Sequence, residues 1–364
     1  MKMKITVFLG VFVVMALSNA VVPVLPSFAD EMPAIQGAIF SAYFFGAFLT
    51  VLPAGMLSDR IGKMPLIRTG LFLTIITGIA MVLLQNPFLI ISARLAEGIA
   101  AGLFVSCAMS WVNEQYNHKV LSGYFFASLN LGLVLGLLMS GFLNQFLGAG
   151  GGLLLFTIIS FLPFLFGMRT SAPDFTSGHE KTGDPKAVLI DFKWLFLSII
   201  ILTGATGVVT SLYPELTDGE PMLLSIQIGA MNVATIGASL LAPKLNLKSV
   251  PAIKTGALLM AFFVFLSYSL ILSEEIVKLF IFAVIGAIAG FIMVSQMDFL
   301  ADSDYRQGTV MGLFNTSGYA GMTFLPFFAG LIVQFSGYMP AFLFVSALCV
   351  IITVFIDRCT HCRL

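Results

Sequence analysis

The chain has 364 residues, of which 59% are hydrophobic and 10% charged, and a formal net charge of +0. Soluble domains carry about 25% charged residues, so this chain cannot cover itself against water and its solvent is expected to be lipid. The neutral balance offers nothing to nucleic acid, and four scattered cysteines do not make a disulfide framework.

A helix crossing a hydrocarbon core of roughly 30 Å needs about 20 apolar residues. Twelve such spans take about 250 residues and leave the rest as short connectors, with no room for a soluble domain. Backbone groups inside a bilayer must be satisfied internally, by helices or by a closed barrel. The apolar runs are long and do not alternate as barrel strands do, which predicts an all-α membrane protein.

The first run covers residues 5–28. Lys2 and Lys4 precede it as in a signal peptide, but it continues to Phe28 without a small-x-small cleavage site and reads as a first span. Further spans are predicted over 35–57, 66–85, 88–112, 121–147 and 150–168. The one sizeable hydrophilic stretch follows, Arg169 to Lys193, with Pro173, Gly178, Gly183 and Pro185. Six more spans are predicted over 193–213, 222–242, 251–272, 277–299, 307–334 and 338–357. The expected organisation is a six-helix bundle at 1–168, a cytoplasmic linker at 169–192 and a second six-helix bundle at 193–364.

Basic residues set the orientation. With both termini cytoplasmic, sixteen of the 18 Lys and Arg lie inside, Lys278 lies outside, and Arg94 falls within a span. The outside is comparatively acidic, with Asp30, Glu31, Glu215, Asp218, Glu220, Glu274 and Glu275. The halves also repeat. Met64-Pro65-Leu66-Ile67-Arg68-Thr69-Gly70 is echoed 186 residues later by Val250-Pro251-Ala252-Ile253-Lys254-Thr255-Gly256. Gly98 and Gly102 recur as Gly286 and Gly290, and Gly123, Gly132 and Gly141 recur as Gly312, Gly321 and Gly330. Two repeats of one topology imply a substrate site between them near mid-membrane.

Between spans two and three stands Gly55-Met56-Leu57-Ser58-Asp59-Arg60-Ile61-Gly62-Lys63. A tight turn between helices calls for glycine, and an ionised Asp59 can rest against a helix N-terminus. These residues resemble the loop signature of the major facilitator superfamily, with Met64 at the last basic position. Pro23-Val24-Leu25-Pro26 resembles the span-one P-v-x-P of its drug/proton antiporter branch, and Leu89 to Ala101 resembles that branch's span-four pattern. Gly123, Gly132 and Gly136 fit the span-five antiporter motif. Leu137 stands where that motif has proline, and Ser140-Gly141 replaces its final glycine pair. The resemblance implies the twelve-helix fold, alternating access, helix packing at Gly123, Gly132, Gly136 and Gly141, and a conformational latch formed by Gly55, Asp59, Arg60, Gly62 and Lys63. Without a latch, the same residues read as a topogenic basic turn.

Arg94 and Glu97 are the candidate coupling or substrate residues. Three apart on span four, they share a helix face. Arginine at that depth costs at least about 2.5–3.5 kcal/mol, so it normally faces a cavity or a partner. A structural ion pair is the alternative. Asn19, Tyr43, Asn130, Asn232, Gln296, Asn315 and Tyr319 are candidates for lining a cavity or for joining helices by hydrogen bonds. Asp298 reads as interfacial, and Cys359-Thr360-His361-Cys362 as a solvated tail without a second ligand pair for a metal.

No nucleotide-binding glycine loop or Ser/His/Asp set is present, so neither enzyme chemistry nor a cofactor is expected. The expected function is proton-coupled efflux of a small amphipathic compound. The rivals are a symporter or uniporter of a small polar metabolite, and a non-transporting receptor or assembly factor. The expected setting is the cell membrane, as a monomer, with lipid, a small-molecule substrate and protons as partners.

Overall fold

The computed structural model describes residues 2–24, 33–148, 150–170, 184–216, 221–245, 247–269 and 274–356. Asp30, Glu31, Asp218, Glu220, Leu25, Pro26, Cys359 and Cys362 lie outside them. The described chain is helical: α1 (Lys2–Ala20), α2 (Pro33–Ile61), α3 (Lys63–Leu83), α4 (Pro87–Asn113), α5 (His118–Leu147) and α6 (Gly151–Met168) come first. A short α7 (Pro185–Asp191) is followed by α8 (Lys193–Leu216), α9 (Pro221–Leu241), α10 (Ser249–Ser269), α11 (Glu275–Ala301), α12 (Gln307–Ser336) and α13 (Tyr338–Phe355). Among the described residues, 12 helices, all but α7, are long and apolar enough to cross a membrane.

The helix faces follow lipid rules. α6 turns Leu154, Ile158, Phe161, Leu162 and Leu165 outward and buries Gly152, Thr157, Ser160 and Gly167 together with Leu153 and Phe156. A water-soluble helix does the reverse. Where lipid is as apolar as leucine, burying leucine gains little, and small or hydroxylated residues form the helix contacts.

Contacts divide the chain into two compact units. The first holds Met1–Gln115, Ser128–Gly183 and Asp304–Asn315; the second holds Tyr116–Ala127, Asp184–Ser303 and Thr316–Leu364. In the first, α2 and α3 pack on α4, and α1 and α3 pack on α6. In the second, α9 and α10 pack on α11, and α8 and α10 pack on α13. The two packing schemes are the same, shifted by seven helices.

The repeated glycines show why. A Cβ on Gly98 would lie 2.0 Å from the Tyr43 carbonyl oxygen, and one on Gly286 would lie 2.0 Å from that of Met231. Gly132 and Gly321 stand likewise against the carbonyls of Phe12 and Ile200, at 2.3 and 2.2 Å. Gly136 meets the Ala16 carbonyl and Gly123 that of Ser239. A Cβ on Gly141 or Gly330 would meet nothing within 4 Å, so close helix approach does not require glycine there.

Two expectations change. The Gly55–Lys63 segment is not a loop: α2 runs through Ser58, Asp59 and Arg60, and Gly62 alone, at φ 89°, turns the chain into α3. Helical backbone bonding continues past the end of the apolar run until a residue can take the left-handed conformation. The expected linker contains α7, begun by Pro185 and capped by Asp184, whose side chain accepts from the Lys186 N–H at 2.9 Å.

Gly98→Ala is expected to destabilise the protein by about 1–3 kcal/mol, because backbone, not a flexible side chain, occupies the space. Gly330→Ala should be neutral or mildly stabilising. Thermal unfolding of both variants in detergent checks the contrast.

Candidate functional site

α4 starts where the Asn86 side chain accepts from the Phe88 N–H at 2.9 Å, with Pro87 at the first turn. Two turns on, it presents Arg94 and Glu97 inward, each with its side chain only 1% exposed. Arg94 Nη1 pairs with Glu97 Oε2. The guanidinium also donates from Nε to the Ile39 carbonyl and from Nη1 to the Ser18 carbonyl, both at 3.4 Å. Its Cζ lies 4.8 Å from the centroid of the Tyr43 ring, a cation–π contact that strengthens out of water. Helices α1, α2 and α4 thus converge on one charge. Glu97 Oε1 is buried without a hydrogen-bond partner among the described residues. A buried acceptor left open is costly.

At the far end of α2, Asp59 caps α12. Its Oδ1 accepts from the Gly308 N–H at 2.9 Å, and its Oδ2 accepts from the Thr309 N–H and hydroxyl at 2.8 and 2.7 Å. Charge-assisted bonds to the first N–H groups of a helix also gain from its dipole. Gly55 and Gly308 allow the approach, since a Cβ on Gly55 would lie 2.1 Å from the Gly308 carbonyl. Lys63 forms a 2.6 Å ion pair with Glu114 beside α4, and Arg60 is exposed.

The remaining candidates are dispersed. Asn19 Nδ2 donates to the Leu133 carbonyl at 2.8 Å, joining α1 to α5. Asn315 donates to the Met311 carbonyl at 2.8 Å and contacts Met109 Sδ at 3.3 Å. Asn130 is buried, and Asn232 and Tyr319 are half-buried. Gln296 donates to Ser198 Oγ at 3.1 Å and lines a small pocket in the second unit, with Thr203, Thr206 and Met293.

Sequence reading missed one cluster. Asp298, read as interfacial, lies near the end of α11 and is 9% exposed. Its Oδ2 accepts from Ser249 Oγ at 2.8 Å and lies 3.3 Å from Lys119 Nζ. Its partners come from α5 and α10, far away in sequence, and nothing along α11 announces them. The His118-Lys119 pair opening span five was the available signal.

The chain is a multi-pass helical membrane protein built from two like halves. Residues 7–326 match the model of the Major Facilitator Superfamily, and the chain belongs to that superfamily of transporters, not to an enzyme family. It is 23% identical over 216 residues to the quinolone resistance protein NorA of Staphylococcus aureus, covering 56% of this chain and 54% of that one. Over 168 residues it is 26% identical to an uncharacterized transporter of Buchnera aphidicola, covering 44% of this chain and 41% of that one. The chain thus spans about half the length of the curated relatives it matches. In fold it is similar to the human organic anion transporter MFSD10 (TM-score 0.80, 16% identity), with 98% of this chain and 99% of that one covered. It is equally similar to the proton:xylose symporter XylE (TM-score 0.81, 14% identity), with 98% and 95% covered.

Removing one member of a buried ion pair costs about 3–5 kcal/mol, while replacing both by apolar groups is often neutral. Arg94→Met should therefore destabilise far more than Arg94→Met with Glu97→Leu. Unfolding midpoints in detergent check this, and equal losses would mean the pair is not coupled.

Proposed function

We propose that this transporter works by alternating access and exports a small amphipathic compound in exchange for protons, with Glu97 carrying the proton. The observation that carries the reading is the buried Arg94–Glu97 pair with one carboxylate oxygen open. A proton arriving on Glu97 would cancel the attraction to Arg94 and leave the guanidinium on two carbonyls and the Tyr43 ring. Ion binding would then change the shape of the site through a charge, the kind of differential interaction a conformational shift requires. The printed name of NorA, a quinolone resistance protein, supports an efflux reading for the related half of this chain.

In this reading the bundles are residues 1–168 and 193–364, joined by a cytoplasmic linker at 169–192, and both termini lie in the cytoplasm of a cell whose plasma membrane holds the protein. Asp59 on the first turn of α12 is the cytoplasmic latch, with Gly55, Gly62, Lys63 and Arg60 shaping its surroundings. Asn19, Tyr43, Asn130, Asn232, Gln296, Asn315 and Tyr319 are offered as the polar positions along the pathway.

Liposomes holding the protein, with an imposed pH gradient and a panel that includes a quinolone and small polar metabolites, test this. Proton movement opposite to substrate is expected. Movement with the substrate would replace exchange by symport, and silence across the panel would favour a binder. Glu97→Gln is expected to remove the dependence of transport on the gradient while leaving membrane insertion intact; an unaltered pH dependence would take Glu97 out of the mechanism.

A further inference from the structure

Helix α7 stands immediately before α8, whose membrane-crossing stretch begins at Lys193. Phe192, at φ −107° and ψ 19°, interrupts the helical run between them. Val188 and Phe192 fix the segment to the second unit: Val188 is fully buried, and the Phe192 ring meets that of Phe299 on α11 edge to face at 5.9 Å. A different surface is left outward. Lys186, Leu189, Ile190 and Lys193 are spaced as one helix face and are all exposed, Leu189 by 46% and Ile190 by 65%.

Two apolar side chains held open between two lysines suit neither bulk water nor hydrocarbon. Their position supplies the occupant. α8 enters the bilayer at Lys193, and the headgroup layer on each side is roughly 5–7 Å thick. Ile190 and Leu189, three and four residues before that boundary, lie no more than about 6 Å from it at helical rise, within that layer. Trp194 marks the same level. Its ring stacks on Phe355, at the end of α13, with centroids 4.6 Å apart, and the Lys193 ammonium lies 5.4 Å from the ring centroid. Tryptophan favours the headgroup level of a bilayer, and a lysine stem lies along apolar surface while its charge reaches for the polar layer. The neighbouring acids leave the lysines available: Asp184 caps α7, where the helix dipole offsets its charge, and Asp191 falls on the other side of α7, half-buried.

We propose that α7, Lys193 and Trp194 form an interfacial anchor that binds the headgroup phosphate of anionic phospholipid in the leaflet where α8 begins. Leu189 and Ile190 enter the headgroup boundary, and the ammonium groups of Lys186 and Lys193 meet the lipid charge. Amphipathic segments bind a membrane through both terms together, buried apolar area and attraction to anionic lipid. The surface is separate from the Arg94–Glu97 pair and does not depend on which compound is carried or on what drives it.

The chain has two tryptophans, and Trp111 is buried in α4, so Trp111→Phe leaves Trp194 as the sole reporter. The full chain is reconstituted in phosphatidylcholine vesicles holding a minor share of phosphatidylglycerol, with bromine on the acyl chains of one lipid at a time. Brominated phosphatidylglycerol is expected to quench Trp194 about fivefold more per mole than brominated phosphatidylcholine, the preference one lysine supplies at an anionic surface. Lys186→Gln combined with Lys193→Gln should bring that ratio to about one. Equal quenching by both lipids in the parent, or an unchanged ratio in the double variant, overturns the anchor. Loss of the preference on adding inorganic phosphate at constant ionic strength assigns the lysines to a soluble anion and overturns it as well. Ile190→Trp, with both native tryptophans replaced by phenylalanine, tests the depth. Emission shielded from acrylamide is expected, and full access to acrylamide would put α7 in water and remove the proposal.

Discussion

Inside a hydrocarbon slab, hiding an apolar side chain from lipid gains little, so helices must be held by backbone contact and by polar groups that find each other. The structure depends on that constraint. Its tightest crossings bring α4 onto the Tyr43 carbonyl through Gly98 and α11 onto the Met231 carbonyl through Gly286. Many large apolar side chains, Phe45, Phe72 and Leu83 among them, point outward, while others such as Phe104, Phe125 and Phe282 fill the space between helices. With association driven by glycine fit, the few charges left inside are held by specific partners.

Arg94 shows what such holding involves. Two main-chain carbonyls, one aromatic face and one carboxylate converge from three helices. The desolvation cost of a buried pair is recovered only when every donor and acceptor is occupied. Here Nε and Nη1 of the guanidinium have acceptors, while Oε1 of Glu97 has no hydrogen-bond partner among the described residues. A site that carries a proton needs such an acceptor, whereas a purely structural pair gains nothing from one.

Much of the architecture could be read from the chain, for specific reasons. Twelve apolar runs leave no other solvent than lipid, and the recurrence of Gly98 at Gly286 and of Gly132 at Gly321 carried the repeat, because the same close crossing is made twice. Arg94 and Glu97 stood out as charges three apart in an apolar run. Their partners did not, since Ile39 and Ser18 act through carbonyls that every residue possesses. The end of α2 was misplaced because polarity changes at Ser58 while helical hydrogen bonding persists to Ile61. The shell around Asp298 was not legible because it comes from residues 49 and about 180 positions away.

One helix carries parts of both centres. Asp59 lies near the end of α2, and Tyr43, beneath Arg94, lies sixteen residues earlier on the same rod, roughly 24 Å along its axis. Pro53 interrupts its backbone bonding between the two. Any tilt of α2 that slides Asp59 off the start of α12 also displaces the aromatic ring and the Ile39 carbonyl from the guanidinium. The proposed latch and the charged pair thus share one helix, and a displacement of α2 moves contacts of both.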